Sequence, residues 1–238
     1  YAISGKLTKQ LPSDSSVEDL LALIKKEKEK LIAEKKIKAN KTFSYIYKKD
    51  NKWYEEVGDK VVDITGQIPF DIPESWQWVN LEYVSMINNG VCYLPSDLKK
   101  EGIPVLRSNN IKNDKIDLSN LIFLEESNVK DKIITKNDIL MTASNGSRNL
   151  VGKVAKIKDS RKYSFGSFMY KITSKINDYL FYFFISNVFK SQLTDISTTT
   201  INRISKSMLL KIKLPLPPVE EQQRITGKLE QIFELLKI

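Results

Sequence analysis

Three polar stretches of this chain carry the side chains best suited to hydrogen-bonding chemistry. They are Arg107-Ser108-Asn109-Asn110, Ser144-Asn145-Gly146-Ser147-Arg148, and Ser197-Thr198-Thr199-Thr200-Ile201-Asn202-Arg203. An arginine presents a fixed fork of donors that matches guanine, and an asparagine pairs one donor with one acceptor, which matches adenine. Serine and threonine hydroxyls serve phosphates and bases alike. Grouped on loops, these residue types suit contact with the edges of nucleobases. Each stretch also has a plainer reading. Arg107 could be a structural ion-pair partner, and Asn145-Gly146 could be an ordinary hairpin turn. The threonine run with Asn202 and Arg203 has the least packing value of the three.

Other chemistries are poorly supplied. The chain has no histidine, which removes a histidine base, the Ser-His and Cys-His nucleophile systems and most zinc sites. The single cysteine, Cys92, cannot form an internal disulfide and is expected to be a small core residue or a bystander. Asp131-Lys132 and Asp138 lie near one another, but no carboxylate-x-Lys pattern follows a strand as a metal-dependent nuclease would need. Leu216-Pro-Pro-Val is not the Asn/Asp-Pro-Pro-aromatic motif of an amino-methyltransferase, and no phosphate-cradling glycine loop is present. Lys and Arg number 38 against 29 Asp and Glu, a net charge of +9. Residues 80–215 carry 21 basic and 12 acidic side chains, so the middle of the chain holds an excess as large as the whole. A basic surface there is the footprint of phosphate binding, with Lys99, Lys112, Lys153 and Lys162 as backbone contacts at most.

The elements that must position these loops are legible in outline. Ser15 and Glu18 have capping-box spacing, and Val17, Leu20, Leu21 and Ile24 recur at helical intervals, so a helix is predicted over 16–38. Gly5 suits the end of a preceding helical turn. Two prolines and then Trp76 and Trp78 mark a boundary, and at least one of these tryptophans is expected to anchor a core. Short strand-like runs follow at 103–107, 116–118, 138–142, 150–157, 168–173 and 208–214, with one apolar helix near 177–190. From Pro218 onward Ile225, Leu229, Ile232 and Leu236 step by four, three and four, the stripe of a helix that packs on another. No apolar run is long enough to span a membrane and no signal peptide is visible, so a cytoplasmic protein is expected.

Separate segments resemble one family. Ala2-Ile-Ser-Gly-Lys-Leu, then Leu20-Leu-x-x-Ile-x-x-Glu-Lys-x-x-Leu-Ile and Lys36-Ile-Lys, resemble the segment before a target-recognition domain in type I restriction-modification specificity subunits. Ile72-Pro-Glu-Ser-Trp-Gln-Trp-Val-Asn-Leu looks like the entry to that domain. Gly102-Ile-Pro-Val-Leu-Arg-Ser-Asn-Asn-Ile and Asn137-Asp-Ile-Leu look like its interior, and Leu214-Pro-Leu-Pro-Pro-Val-Glu-Glu-Gln-Gln-Arg-Ile like its exit into a spacer helix. The resemblance implies an α+β fold: a globular mixed α/β recognition domain with a projecting C-terminal coiled-coil spacer helix. It divides the chain into a helical segment (1–68), a recognition domain (69–217) and the start of the spacer (218–238). It implies recognition of double-stranded DNA without catalysis. The partners would be methyltransferase subunits that bind S-adenosylmethionine and motor-nuclease subunits that use ATP and Mg, with no cofactor or metal on this chain. Typical members carry two recognition domains in tandem, and this sequence holds one. Two readings follow: a natural half-subunit, two copies of which would pair through the helix of Ile225, Leu229, Ile232 and Leu236, or one arm of a longer tandem protein. The competing expectation is a non-catalytic scaffold module built on that same helix.

Overall fold

The fold is described from a computed structural model in residues 1–37, 44–196 and 202–236. It is α+β, and it divides into two compact bodies: residues 1–84 together with 210–238, and residues 85–209. The segments 1–68, 69–217 and 218–238 do not coincide with these bodies. Strand Gln77–Asn80 pairs antiparallel with strand Lys213–Leu216, which places both ends of the 69–217 segment in the first body.

In the first body, helix Val17–Ala33 opens on Ser16, whose side chain accepts the backbone N–H of Asp19 at 3.0 Å. The cap is therefore Ser16 and not Ser15, because Ser15 gives both its N–H and its hydroxyl to Glu220. Val17, Leu20, Leu21 and Ile24 form the buried stripe. The helix stops short of the predicted residue 38. Lys35 turns left-handed (φ 55°), and the amides of Lys35 and Lys36 bond back to Ile32 and Leu31. Gly5 is left-handed at the end of its short turn, as expected. Strands Ser44–Lys49, Lys52–Val57 and Lys60–Asp63 make an antiparallel sheet. Its first hairpin turns at Asp50-Asn51, both with positive φ, which suits the twist of the flanking strands. Ile46, Trp53, Ile64 and Trp78 form a core beside this sheet, and Phe70 packs against Trp78 at 5.3 Å between ring centres. Trp76 and Trp78 are both buried.

The last helix, Val219–Leu235, is built into the N-terminal segment by side chains of its first two turns. Glu221 is fully buried and accepts three hydrogen bonds: from Thr8 Oγ1 (2.8 Å), Gln10 Nε2 (2.7 Å) and Trp76 Nε1 (2.8 Å). Arg224 grips Asp14 through both guanidinium ends, and that contact lowers the Asp14 pKa. Ile225 is buried and Leu229 half-buried, whereas Ile232, Leu235 and Leu236 are exposed. The predicted strand at 208–214 resolves into helix Lys206–Leu210 followed by strand Lys213–Leu216.

The second body contains two four-stranded sheets. One runs in the order Ile133–Ile134, Tyr163–Phe165, Ile103–Leu106, Ile122–Leu124; the other runs Val154–Lys156, Ile139–Thr142, Met169–Thr173, Met86–Asn89. Strand Tyr163–Phe165 lies parallel to Ile103–Leu106, the one parallel pair among the named strands. Leu106, Ile134, Leu140, Ala155, Tyr163 and Phe165 belong to one of its core clusters. The aromatic segment is core, as expected, but it forms two helices, Asn177–Ile185 and Asn187–Ile196. Ser186 separates them: its hydroxyl donates to the Phe183 carbonyl and accepts the N–H of Phe189, so it ends one helix and starts the next.

One buried charge gives the first body a measurable pH dependence. Lys28 donates to the backbone carbonyl of Glu82, and burial pushes its ammonium down to about 8, with the Glu82 charge opposing. Between pH 8 and 10.5 the unfolded chain therefore binds more protons than the folded one, and the stability attributable to Lys28 rises through that window. We expect Lys28→Met to be more stable than the wild type at pH 7 by about 1–2 kcal/mol, after allowing for the lost hydrogen bond. The gap should close by pH 10. Urea melts at the two values test this, and a gap independent of pH would refute it.

Candidate nucleic-acid interface

The three polar loops are far apart in sequence, and the second body brings them together. Strand Ile103–Leu106 ends in a short turn, Ser108–Asn110, shaped by Asn110, whose Oδ1 accepts the N–H of Arg107 at 2.9 Å. Asn110 Nδ2 donates to the carbonyl of Asp117, and Arg107 Nη2 donates to that of Asn120, both at 2.9 Å. The 117–120 turn is itself fixed by Asp117. Its carboxyl is lowered to about 2 by Lys112 first, and then by the N–H and hydroxyl of Ser119. Strand Ile139–Thr142 leads into the second loop, where Asn145 Oδ1 accepts the N–H of Ser147. The third loop is described from Asn202 onward. Arg203 bridges Ser144 in antiparallel fashion, and Ile204 N–H donates to the Ala143 carbonyl at 2.8 Å.

Hydrogen bonds join the loops to one another. Asn145 Nδ2 donates to Ser108 Oγ at 2.8 Å, Asn145 N–H to the Asn202 carbonyl at 3.1 Å, and Asn202 Nδ2 to the Gly146 carbonyl at 2.9 Å. The result is one ridge on which Asn109, Ser147, Arg148, Asn202 and Arg203 are exposed and Arg107, Ser108, Ser144 and Asn145 are half-buried. This body carries 19 Lys and Arg against 11 Asp and Glu, so nearly all of the net charge of +9 lies in it. Hydroxyl, amide and guanidinium groups on a basic body can engage both phosphates and base edges.

A model of the type I restriction modification DNA specificity domain matches residues 73–238. The chain belongs to this family. The MjaVIII specificity subunit of Methanocaldococcus jannaschii is 30% identical over 179 residues, covering 71% of this chain and 42% of that protein. The EcoKI specificity subunit of Escherichia coli K12 is 29% identical over 171 residues, 68% of this chain and 37% of its own length. The chain thus spans roughly two fifths of these curated relatives. Among solved structures, one described for assembly and conformational transition of the type I R-M system aligns with 93% of this chain and 48% of its own at a TM-score of 0.57 and 20% identity. The HsdS subunit of Thermoanaerobacter tengcongensis aligns with 71% of this chain and 40% of its own at 0.56 and 22%. Both agree with the fold described above.

In this specificity domain the exit motif is a structural device: Glu221 and Arg224 hold the N-terminal segment. One expectation changes. Asn110 is completely buried and its amide is spent on backbone groups, so it shapes the Arg107 loop and presents nothing outward. Of the two expectations for Cys92, core residue or bystander, the second holds: it is exposed, and it lines an open cleft of about 600 Å³ with Arg107, Ser108 and Asn109. Lys99 and Lys112 are paired with Glu125 and Asp117. Thr198, Thr199 and Thr200 lie outside the described residues. The sequence reading missed the apolar wall of the cleft, which includes Tyr93, Leu98 and Phe168. The sequence pattern places Phe168 first in a strand, but that strand begins at Met169 and Phe168 sits on the turn before it. The Gly166-Ser167 pair just upstream was the available signal. Among the described residues no group of His, Cys, Asp and Glu could hold a metal ion, and no helix is long and apolar enough to cross a membrane.

Proposed function

We propose that residues 85–209 recognise a DNA sequence, and that the chain acts as a non-catalytic recognition component of a type I restriction-modification assembly in the cytoplasm. The observation that carries this reading is the joining of three loops into one ridge by the Ser108–Asn145 and Asn145–Asn202 hydrogen bonds. Asn109, Ser147, Arg148, Asn202 and Arg203 are its exposed base- and phosphate-facing groups, and the half-buried Arg107, Ser108, Ser144 and Asn145 hold the loops beneath them. Methyltransferase subunits carrying S-adenosylmethionine and motor-nuclease subunits using ATP and Mg supply the chemistry. The exposed Ile232 and Leu236 support helix pairing with a second copy or with a longer spacer.

Asn202→Ala and Arg203→Ala test the reading. Each is expected to weaken binding to the cognate duplex by about 1–3 kcal/mol while leaving a scrambled duplex nearly unchanged, since only base contacts carry sequence information. Competition binding in the presence of the methyltransferase subunits measures both. Equal weakening on the two duplexes would reduce these residues to phosphate contacts. Binding with no salt dependence would favour a scaffold instead.

A further inference from the structure

Among the described residues of the second body, three large hydrophobic side chains are exposed: Leu94, Leu98 and Phe168. Leu98 and Phe168 both line the cleft that Arg107, Ser108 and Asn109 also line. Phe168 is 67% exposed, although the residues on either side of its turn, Phe165 and Met169, are fully buried. The turn that carries it is clamped from three directions. Gly166 N–H donates to the Leu106 carbonyl at 2.9 Å, directly before Arg107. The Phe168 carbonyl accepts both Ala143 N–H (2.9 Å) and Ser144 N–H (3.1 Å), at the root of the second loop. Val91 N–H donates to the Phe165 carbonyl at 2.8 Å, and Val91 bridges Gly166.

An aromatic ring on so tightly held a turn adds nothing to the core. Its backbone is held between Leu106, at the root of the first loop, and Ala143-Ser144, at the root of the second. A polar ridge reads donors and acceptors, but it cannot read the one apolar feature of a base edge in the major groove, the thymine C5-methyl group. We infer that Phe168 is a specificity-determining residue that contacts a thymine methyl group beside the bases read by the 107–109 and 144–148 loops. This inference rests on the DNA reading above and adds to it one base-pair position and one chemical group.

The test is a selection from a randomised duplex library, using the full protein assembled with its methyltransferase subunits, for the wild type, Phe168→Ala and Phe168→Leu. The wild type should enrich one sequence containing a thymine whose identity is lost in Phe168→Ala, partly kept in Phe168→Leu, and unaffected elsewhere. In the wild type, replacing that thymine with deoxyuridine should weaken binding about fourfold, the effect of one apolar methyl group. It should have no effect on Phe168→Ala. An enriched sequence that is identical for wild type and Phe168→Ala would overturn the inference and leave DNA recognition standing. So would brightening of 2-aminopurine beside the site that depends on Phe168, since that marks a wedge between base steps instead. Failure of the wild type to enrich any sequence would overturn both.

Discussion

Glu221→Ala is expected to destabilise the first body by about 4 kcal/mol, the largest effect of any single substitution considered for that body. The carboxylate is fully buried and receives three donors, Thr8 Oγ1, Gln10 Nε2 and Trp76 Nε1. Thr8 and Trp76 are themselves buried, so removing the acceptor strands their donors away from water. Each stranded donor costs about 1–3 kcal/mol, well above the net value of a hydrogen bond that solvent can replace. Glu221→Gln keeps the size and one acceptor oxygen but turns an amide toward one of the donors, so it should lose about half as much. The neighbouring Glu220 is an internal control. It bonds Ser15 from an exposed position, and Glu220→Ala should change stability little. Urea denaturation followed by tryptophan fluorescence reads the difference directly, because Trp76 belongs to the network. A loss from Glu221→Ala no greater than that from Glu220→Ala would mean that the buried network is not what holds the helix start to the N-terminal segment.

Gly90→Ala is the corresponding lesion in the second body. A Cβ at this position would lie 2.2 Å from the carbonyl oxygens of both Phe165 and Gly166. Those atoms are backbone, and they belong to the turn that presents Phe168, so no side-chain rotation can relieve the clash. We expect about 3 kcal/mol of destabilisation, at the upper end of what overpacking usually causes. Cognate DNA binding should fall with it, since the 166–168 turn is tied to both Leu106 and Ser144. Gly146→Ala is the matched control, because it stands on the polar ridge with nothing within 4 Å of its Cβ and no left-handed φ. Its stability should stay within about 0.5 kcal/mol of the wild type. Thermal melts of both variants measure this. If Gly90→Ala melts like Gly146→Ala, the close approach at residues 90 and 166 is looser than its geometry states.

What the sequence determined by itself was local. The spacing of Val17, Leu20, Leu21 and Ile24 specified a buried helix face, the two tryptophans specified a core, and the residue types of the loops specified hydrogen-bonding chemistry. Segment motifs in order along the chain were enough to indicate the family, because each motif is a short contiguous string. Neighbouring residues decide such features, through rotamers, caps and apolar periodicity. Tertiary structure decided everything that depends on which strand lies beside which. The parallel pairing of Tyr163–Phe165 with Ile103–Leu106 put Phe168 on the cleft that Asn109 also lines, and the Ser144–Arg203 bridge joined the second loop to the third. It also decided which of two adjacent serines caps the first helix, since Glu220, some 200 residues away, engages Ser15 and leaves Ser16 for the cap. Asn109 and Asn110 are identical as letters, yet one faces solvent and the other is sealed beneath its loop. The free energy that separates them comes from burial and from the carbonyls of Asp117 and Asn120, which no local pattern around Asn110 encodes.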